Sequence, residues 1–220
     1  MDIFDEVAED LRQEKALTLA KRYGGLLLLA CVAVLAGVAA QEGWQAWQAK
    51  RNGKAAQQYL TLTAPLDQLN APPPADQAEK AAGALSKFAA TAPEGYKTLA
   101  NMRAAALYAD AGQLPQAEAL WTGVAQDSAA DPLLRDAATL IWAQHALGTV
   151  PDADVLAKLQ PLALDNNPYH AMARELQALT YLHQGNEAQA KALLTQLSMD
   201  GTAPSGVRQR AQALLASLNG

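Results

Sequence analysis

The side chains that could carry chemistry are few and scattered. The chain holds three histidines, His145, His170 and His183, and a single cysteine, Cys31. No two histidines stand at the spacing that puts a pair of imidazoles on one helix face, and no Cys-x-x-Cys occurs, so no metal site is spelled out. The phosphate-cradling GxxxxGK, the dinucleotide-binding GxGxxG and the nucleophile-elbow GxSxG are also missing. Asp152 and Asp154 flank Ala153 where a helix begins. Carboxylates at that place answer the helix dipole, and we read them as cap residues and not as a catalytic pair. The chemistry-bearing residues therefore point away from an enzyme and away from any cofactor or metal, and the elements that shape a surface become the question.

Composition favours helices. Half of the 220 residues are apolar, only 5% are aromatic, and alanine recurs throughout, a balance that suits close-packed helices better than strands. The net charge of −5 divides into −2 for residues 1–22, where six acids meet four bases, and −3 for the rest. No basic stripe results, which argues against a nucleic-acid partner. One cysteine excludes an intrachain disulfide.

Residues 23–40, YGGLLLLACVAVLAGVAA, contain no charge. As a helix they would measure roughly 27 Å, close to the hydrocarbon thickness of a bilayer, and we expect one membrane span. The leading residues are long and acidic where a cleavable leader would be short and basic, so cleavage after Ala40 is disfavoured. Before the span, Phe4, Val7 and Leu11 recur at helical spacing, with Asp2 placed as a cap. Lys21 and Arg22 abut the span, whereas Lys50, Arg51 and Lys54 lie ten or more residues beyond its end. Positive residues stay inside, so the head is expected in the cytoplasm and the remainder across the membrane. Trp44 and Trp47 suit the far interface, and Asn52-Gly53 is the expected place for a bend.

Beyond the span the chain keeps a beat. Pro132, Pro168 and Pro204 are separated by 36 residues each time, and Gly112, Gly148, Gly185 and Gly220 close the stretches that begin at Pro93 and at those prolines. Proline fits the first turn of a helix and glycine the residue past its end. After each internal glycine a second helical run follows: LPQAEALWTGVAQ, VPDADVLAKLQPLAL and NEAQAKALLTQL. Two helices per period signal an α-solenoid. Ahead of the beat, Ala55 to Leu69 and Gln77 to Ala90 are helical, separated by APPPAD.

These repeats resemble tetratricopeptide repeats. That motif places a small residue seven before the turn glycine, a large one four before, alanine five after and a bulky residue nine after. From Gly112 these are Ala105, Tyr108, Ala117 and Trp121; from Gly185 they are Ala178, Tyr181, Ala190 and Leu194. From Gly148 they are Ile141, Gln144, Ala153 and Ala157, so the middle repeat departs at three of four positions. The fold expected is all-α: an N-terminal transmembrane helix followed by a tetratricopeptide-like α-solenoid of helix pairs. The segments are a cytoplasmic amphipathic head over 1–22, the span over 23–41, a membrane-proximal helix with an atypical first helical pair over 42–92, and repeats over 93–220.

Over its whole length the chain resembles the bacterial single-span tetratricopeptide-like family of the ancillary SecYEG translocon subunit. The resemblance is carried by DIFDEVAEDLR, KRYG before the span, the paired tryptophans, and GYKTLANMRAAAL, DPLLRDAA and ARELQAL. It implies an inner-membrane protein with its repeats in the periplasm, working beside the Sec translocon and periplasmic chaperones.

In such an array the first helix of each pair lines the concave side. Counting back from the glycines places there Met102, Ala106 and Asp110, then Arg135, Ala138, Trp142 and His145, then Met172, Glu175, Leu179, Leu182 and His183. We expect this line to be a partner-binding groove, with Trp142 and Met102 as broad contacts; the alternative at those sites is packing between repeats. The function expected is a membrane-anchored protein–protein interaction module that holds proteins or emerging chains. The competing reading is a scaffold that organises an envelope complex by self-association, without unfolded clients.

Overall fold

The computed structural model describes the backbone of residues 3–69 and 71–219, and within these the side chains from Lys21 onward except those of residues 24, 26, 27, 30 and 31. Among the described residues there is no strand. The helices are α1 (Ile3–Asp67), α2 (Ala75–Ala89), α3 (Glu94–Asp110), α4 (Leu114–Gln126), α5 (Pro132–Ala146), α6 (Asp152–Leu159), α7 (His170–His183), α8 (Glu187–Met199) and α9 (Ser205–Asn219). The all-α expectation holds. The chain divides into two compact units, Met1–Gly53 and Lys54–Gly220.

The first unit is the leading part of α1. The apolar stripe of the acidic head lies outside the described side chains, as do five of the residues on which the expected span depends. Among the described residues no helix is long and apolar enough to cross a membrane. Asn52 and Gly53, where a bend was expected, are helical, and the boundary between the units follows them.

The second unit is a row of helices in which, from α2 onward, each packs against the next. Its opening layer joins the end of α1 to α2 and α3 through Leu66, Ala78, Ala82, Leu85, Ala100 and Ala104, and Arg103 Nη2 donates to Asp67 Oδ1 at 2.6 Å. A central core runs from α3 to α7 around Trp121, which is 1% exposed. A third core, with Leu194, Leu197 and Val207, joins α7, α8 and α9. Alanines 104, 105, 117, 138 and 190 are almost fully buried. A methyl group in place of a larger side chain brings neighbouring backbones close enough for the large residues opposite to fill the gap.

The punctuation behaves as its chemistry dictates. Pro132 opens α5 and the Asp131 carboxylate accepts the amide of Leu133 at 2.8 Å, capping the helix. Gly112 and Gly185 have φ of +75°. At each, the amide just after the glycine reaches back five residues, Gln113 to Tyr108 at 2.7 Å and Asn186 to Tyr181 at 2.8 Å, which closes a Schellman cap.

The middle pair is built differently. Leu147 has φ −59°, ψ 121° and Gly148 has φ +80°, while the Thr149 amide donates to Ala146 O at 2.9 Å. That is a type II turn, with glycine at the position that requires positive φ. Val150 and Pro151 then intervene, so α6 starts four residues after its glycine, where α4 and α8 start two after theirs. Counted from the helix start, Val155 and Leu159 fill the places of Ala117 and Trp121 and of Ala190 and Leu194, and both are fully buried. Ala153 and Ala157, the positions reached by counting from glycine, are exposed. The second run was expected to continue through VPDADVLAKLQPLAL, but α6 stops at Leu159: Pro161 has no N–H to give and its ring excludes a further helical turn.

Candidate partner-binding groove

On α7, Met172, Glu175, Leu176 and Leu179 follow one another at i, i+3, i+4 and i+7 and so share a face. On α9, Arg210, Ala213 and Leu214 do the same at i, i+3 and i+4. With Leu140 and Gln144 of α5 they line one groove of about 760 Å³. Its lining comes from α5, α7 and α9, every second helix of the row, with α7 touching both of the others.

Apolar atoms make up most of this surface, and a single ion pair crosses it. Arg210 Nε and Nη2 donate to the two carboxylate oxygens of Glu175 at 2.6 and 2.7 Å. The Glu175 side chain is only 9% exposed, so its charge is answered in both directions by a planar fork. The hydrogen bond to Glu175 holds the Arg210 guanidinium above its ordinary pKa, against a smaller opposing effect of burial. The pair ties α7 to α9 and leaves the groove near neutral. No nucleophile paired with a base lies among these residues. The surface can bind, orient and exclude water.

The sequence line of candidate residues is partly gathered here. Met172, Glu175 and Leu179 line the groove, and Leu182 is half-buried further along α7. His183 is exposed, with Nδ1 2.9 Å from Asp152 Oδ2, so it links the end of α7 to the start of α6. The α5 residues face elsewhere. Trp142 is 8% exposed in the central core, with Lys158 Nζ 4.9 Å from its ring centroid. His145 stacks on Trp121 at 4.8 Å between centroids. Arg135 is half-buried and its carbonyl accepts the Thr139 hydroxyl. On α3, Met102 packs against the central core, Ala106 is half-buried and Asp110 is exposed. None of these α3 and α5 residues lines the groove. Ala138, Trp142 and Ala146 are buried at i, i+4 and i+8, and Leu140 and Gln144 sit two residues out of phase, roughly 200° around the helix.

Arg210 and Leu214 were not among the expected residues, although the signal for them was present. Continuing the count from Gly220 with the offsets that select Glu175 and Leu179 from Gly185 reaches those two positions. Leu140, Gln144 and Leu176 carried no comparable mark. The described residues hold no group of histidine, cysteine and carboxylate side chains able to bind a metal ion.

The Tetratricopeptide repeat-like domain family matches the chain over residues 19–219. No curated protein and no solved structure matches it.

Proposed function

We propose, for a chain that belongs to the tetratricopeptide repeat-like family, that the groove on α5, α7 and α9 receives an extended segment of a partner polypeptide. Repeat domains of this kind mediate protein–protein contacts. The observation that carries the reading is one continuous, mainly apolar groove shared by α5, α7 and α9, every second helix of the row. Met172 and Leu179 are its adaptable apolar contacts, and the Glu175–Arg210 pair offers a polar strip for backbone groups.

The finer reading is a module anchored in the inner membrane by one span, with its head in the cytoplasm and its repeats in the periplasm. It works beside the Sec translocon and periplasmic chaperones on secreted chains. Support comes from the uncharged stretch 23–40, the basic residues next to its leading end, and the resemblance of the head, tryptophan pair and repeat segments. Tethering raises the local concentration of the groove where chains emerge.

The test is capture of native partners by the full chain in mild detergent. With Met172 and Leu179 both changed to alanine, capture should fall about tenfold while the helical signal and the melting temperature of the soluble repeats are retained. Undiminished capture by the folded variant contradicts the groove. Capture of only a second copy of the chain favours the assembly reading.

A further inference from the structure

The first unit carries a second surface that partner binding by the repeats leaves unused. Trp44 and Trp47 lie one turn apart on α1, 59% and 47% exposed, with ring centroids 5.1 Å apart. One turn further on, the Arg51 guanidinium sits 4.8 Å above the centre of the Trp47 ring. At about 100° per residue, Trp44, Trp47, Lys50 and Arg51 fall within roughly 120° of one helix face. Glu42, the one acid between residues 41 and 53, falls on the other side.

We propose that this face docks on the headgroup layer of the bilayer and selects anionic phospholipids. The inference rests on the reading that residues 23–40 span the membrane, and it adds which lipid the emerging helix prefers. Measured from Ala40, Trp44 and Trp47 lie roughly 6 and 10 Å along the helix, within the interfacial layer where an indole buries its ring and keeps its N–H wet. Helical side chains lean toward the N-terminus. On this side of the span that direction is toward the bilayer, so Lys50 and Arg51 reach back to the headgroups. Stacking on Trp47 holds the guanidinium in one plane and leaves its edge free for a phosphate oxygen pair. A single convex helix face gives a peptide no walls, whereas the negatively charged headgroup layer surrounds the helix where it leaves the bilayer and takes up all four side chains at successive depths.

The experiment uses the full chain reconstituted in vesicles with brominated phosphatidylglycerol or brominated phosphatidylcholine at equal mole fraction. Trp121 and Trp142 are buried, so bromine quenching reports on Trp44 and Trp47, and the variant with both changed to phenylalanine gives the background. We expect quenching by the anionic lipid about twofold stronger than by the zwitterionic one, with the preference abolished by Lys50→Gln with Arg51→Gln. All four positions are exposed, so folding of the variants is not at risk. Equal quenching by both lipids, in protein that resists carbonate extraction, overturns the selection while leaving the anchor. No quenching in such protein shows that the face serves another macromolecule and overturns the proposal. Protein released by carbonate overturns the anchor, and this inference with it.

Discussion

The pair α3–α4 and the pair α7–α8 are near copies, and the pair between them, α5–α6, is not. In the copies a Schellman cap hands directly into the second helix, and an alanine and a bulky residue meet the first helix at the third and seventh residues after its start. Both copies end on an aspartate, Asp127 and Asp200, whose Oδ1 accepts the amide two residues later at 3.0 and 2.8 Å. The middle pair has a type II turn, a two-residue delay, a shorter second helix and Gln160-Pro161 in place of the aspartate. The packing slots therefore follow the helix start and not the glycine.

The largest effect is expected at the large buried residue of the first regular pair. Trp121→Ala, which empties a slot that is 1% exposed, should cost about 3–5 kcal/mol in chemical denaturation. If the slots are tied to the helix start, Leu159→Ala should cost about 2–4 kcal/mol, while Ala157→Leu, which repairs the motif on paper, should change stability by less than about 0.5 kcal/mol. A large gain from Ala157→Leu would refute the shifted register. A smaller effect is expected at the turns: alanine at Gly112, Gly148 or Gly185, all at φ of +75° to +80°, should cost about 1–2 kcal/mol each, read as a drop in denaturation midpoint.

The smallest effect is an acid sensitivity at the aspartates that end the two regular pairs. The Thr202 hydroxyl and then its amide hold Asp200 below the ordinary carboxylate value, and Lys97 followed by the Ala129 amide does the same for Asp127. A depressed folded value means stability that is complete above the ordinary value of 3.8 and lost as pH falls through the lowered one. The gap in melting temperature between the parent protein and Asp200→Asn should thus be constant near neutral pH and close in strong acid. A gap that widens in acid would contradict the hydrogen-bonded turn.

The regular pairs were legible because their signals are local. Gly112 and Gly185 at positive φ, and alanine against Trp121, each need only a few neighbouring residues to be read. The middle pair was misread at Ala153 and Ala157 because Gly148 looks like its counterparts while making another turn, and only Val150-Pro151 betrays the delay. On α7 the count from the glycine finds the groove at Glu175 and Leu179, whereas on α5 the same count lands on Trp142, which turns into the core. Arg210 completes the groove from 35 residues away, a partnership that spacing suggests but only packing reveals.

Binding along α5, α7 and α9, as proposed, is open to a direct test: a photo-crosslinking side chain at Leu140, Met172, Leu179 or Leu214 of the full chain, with exposed Ala157 as the control. Polypeptide adducts are expected from the four groove positions and few from position 157. Adducts from position 157 that equal or exceed those from the groove would contradict it.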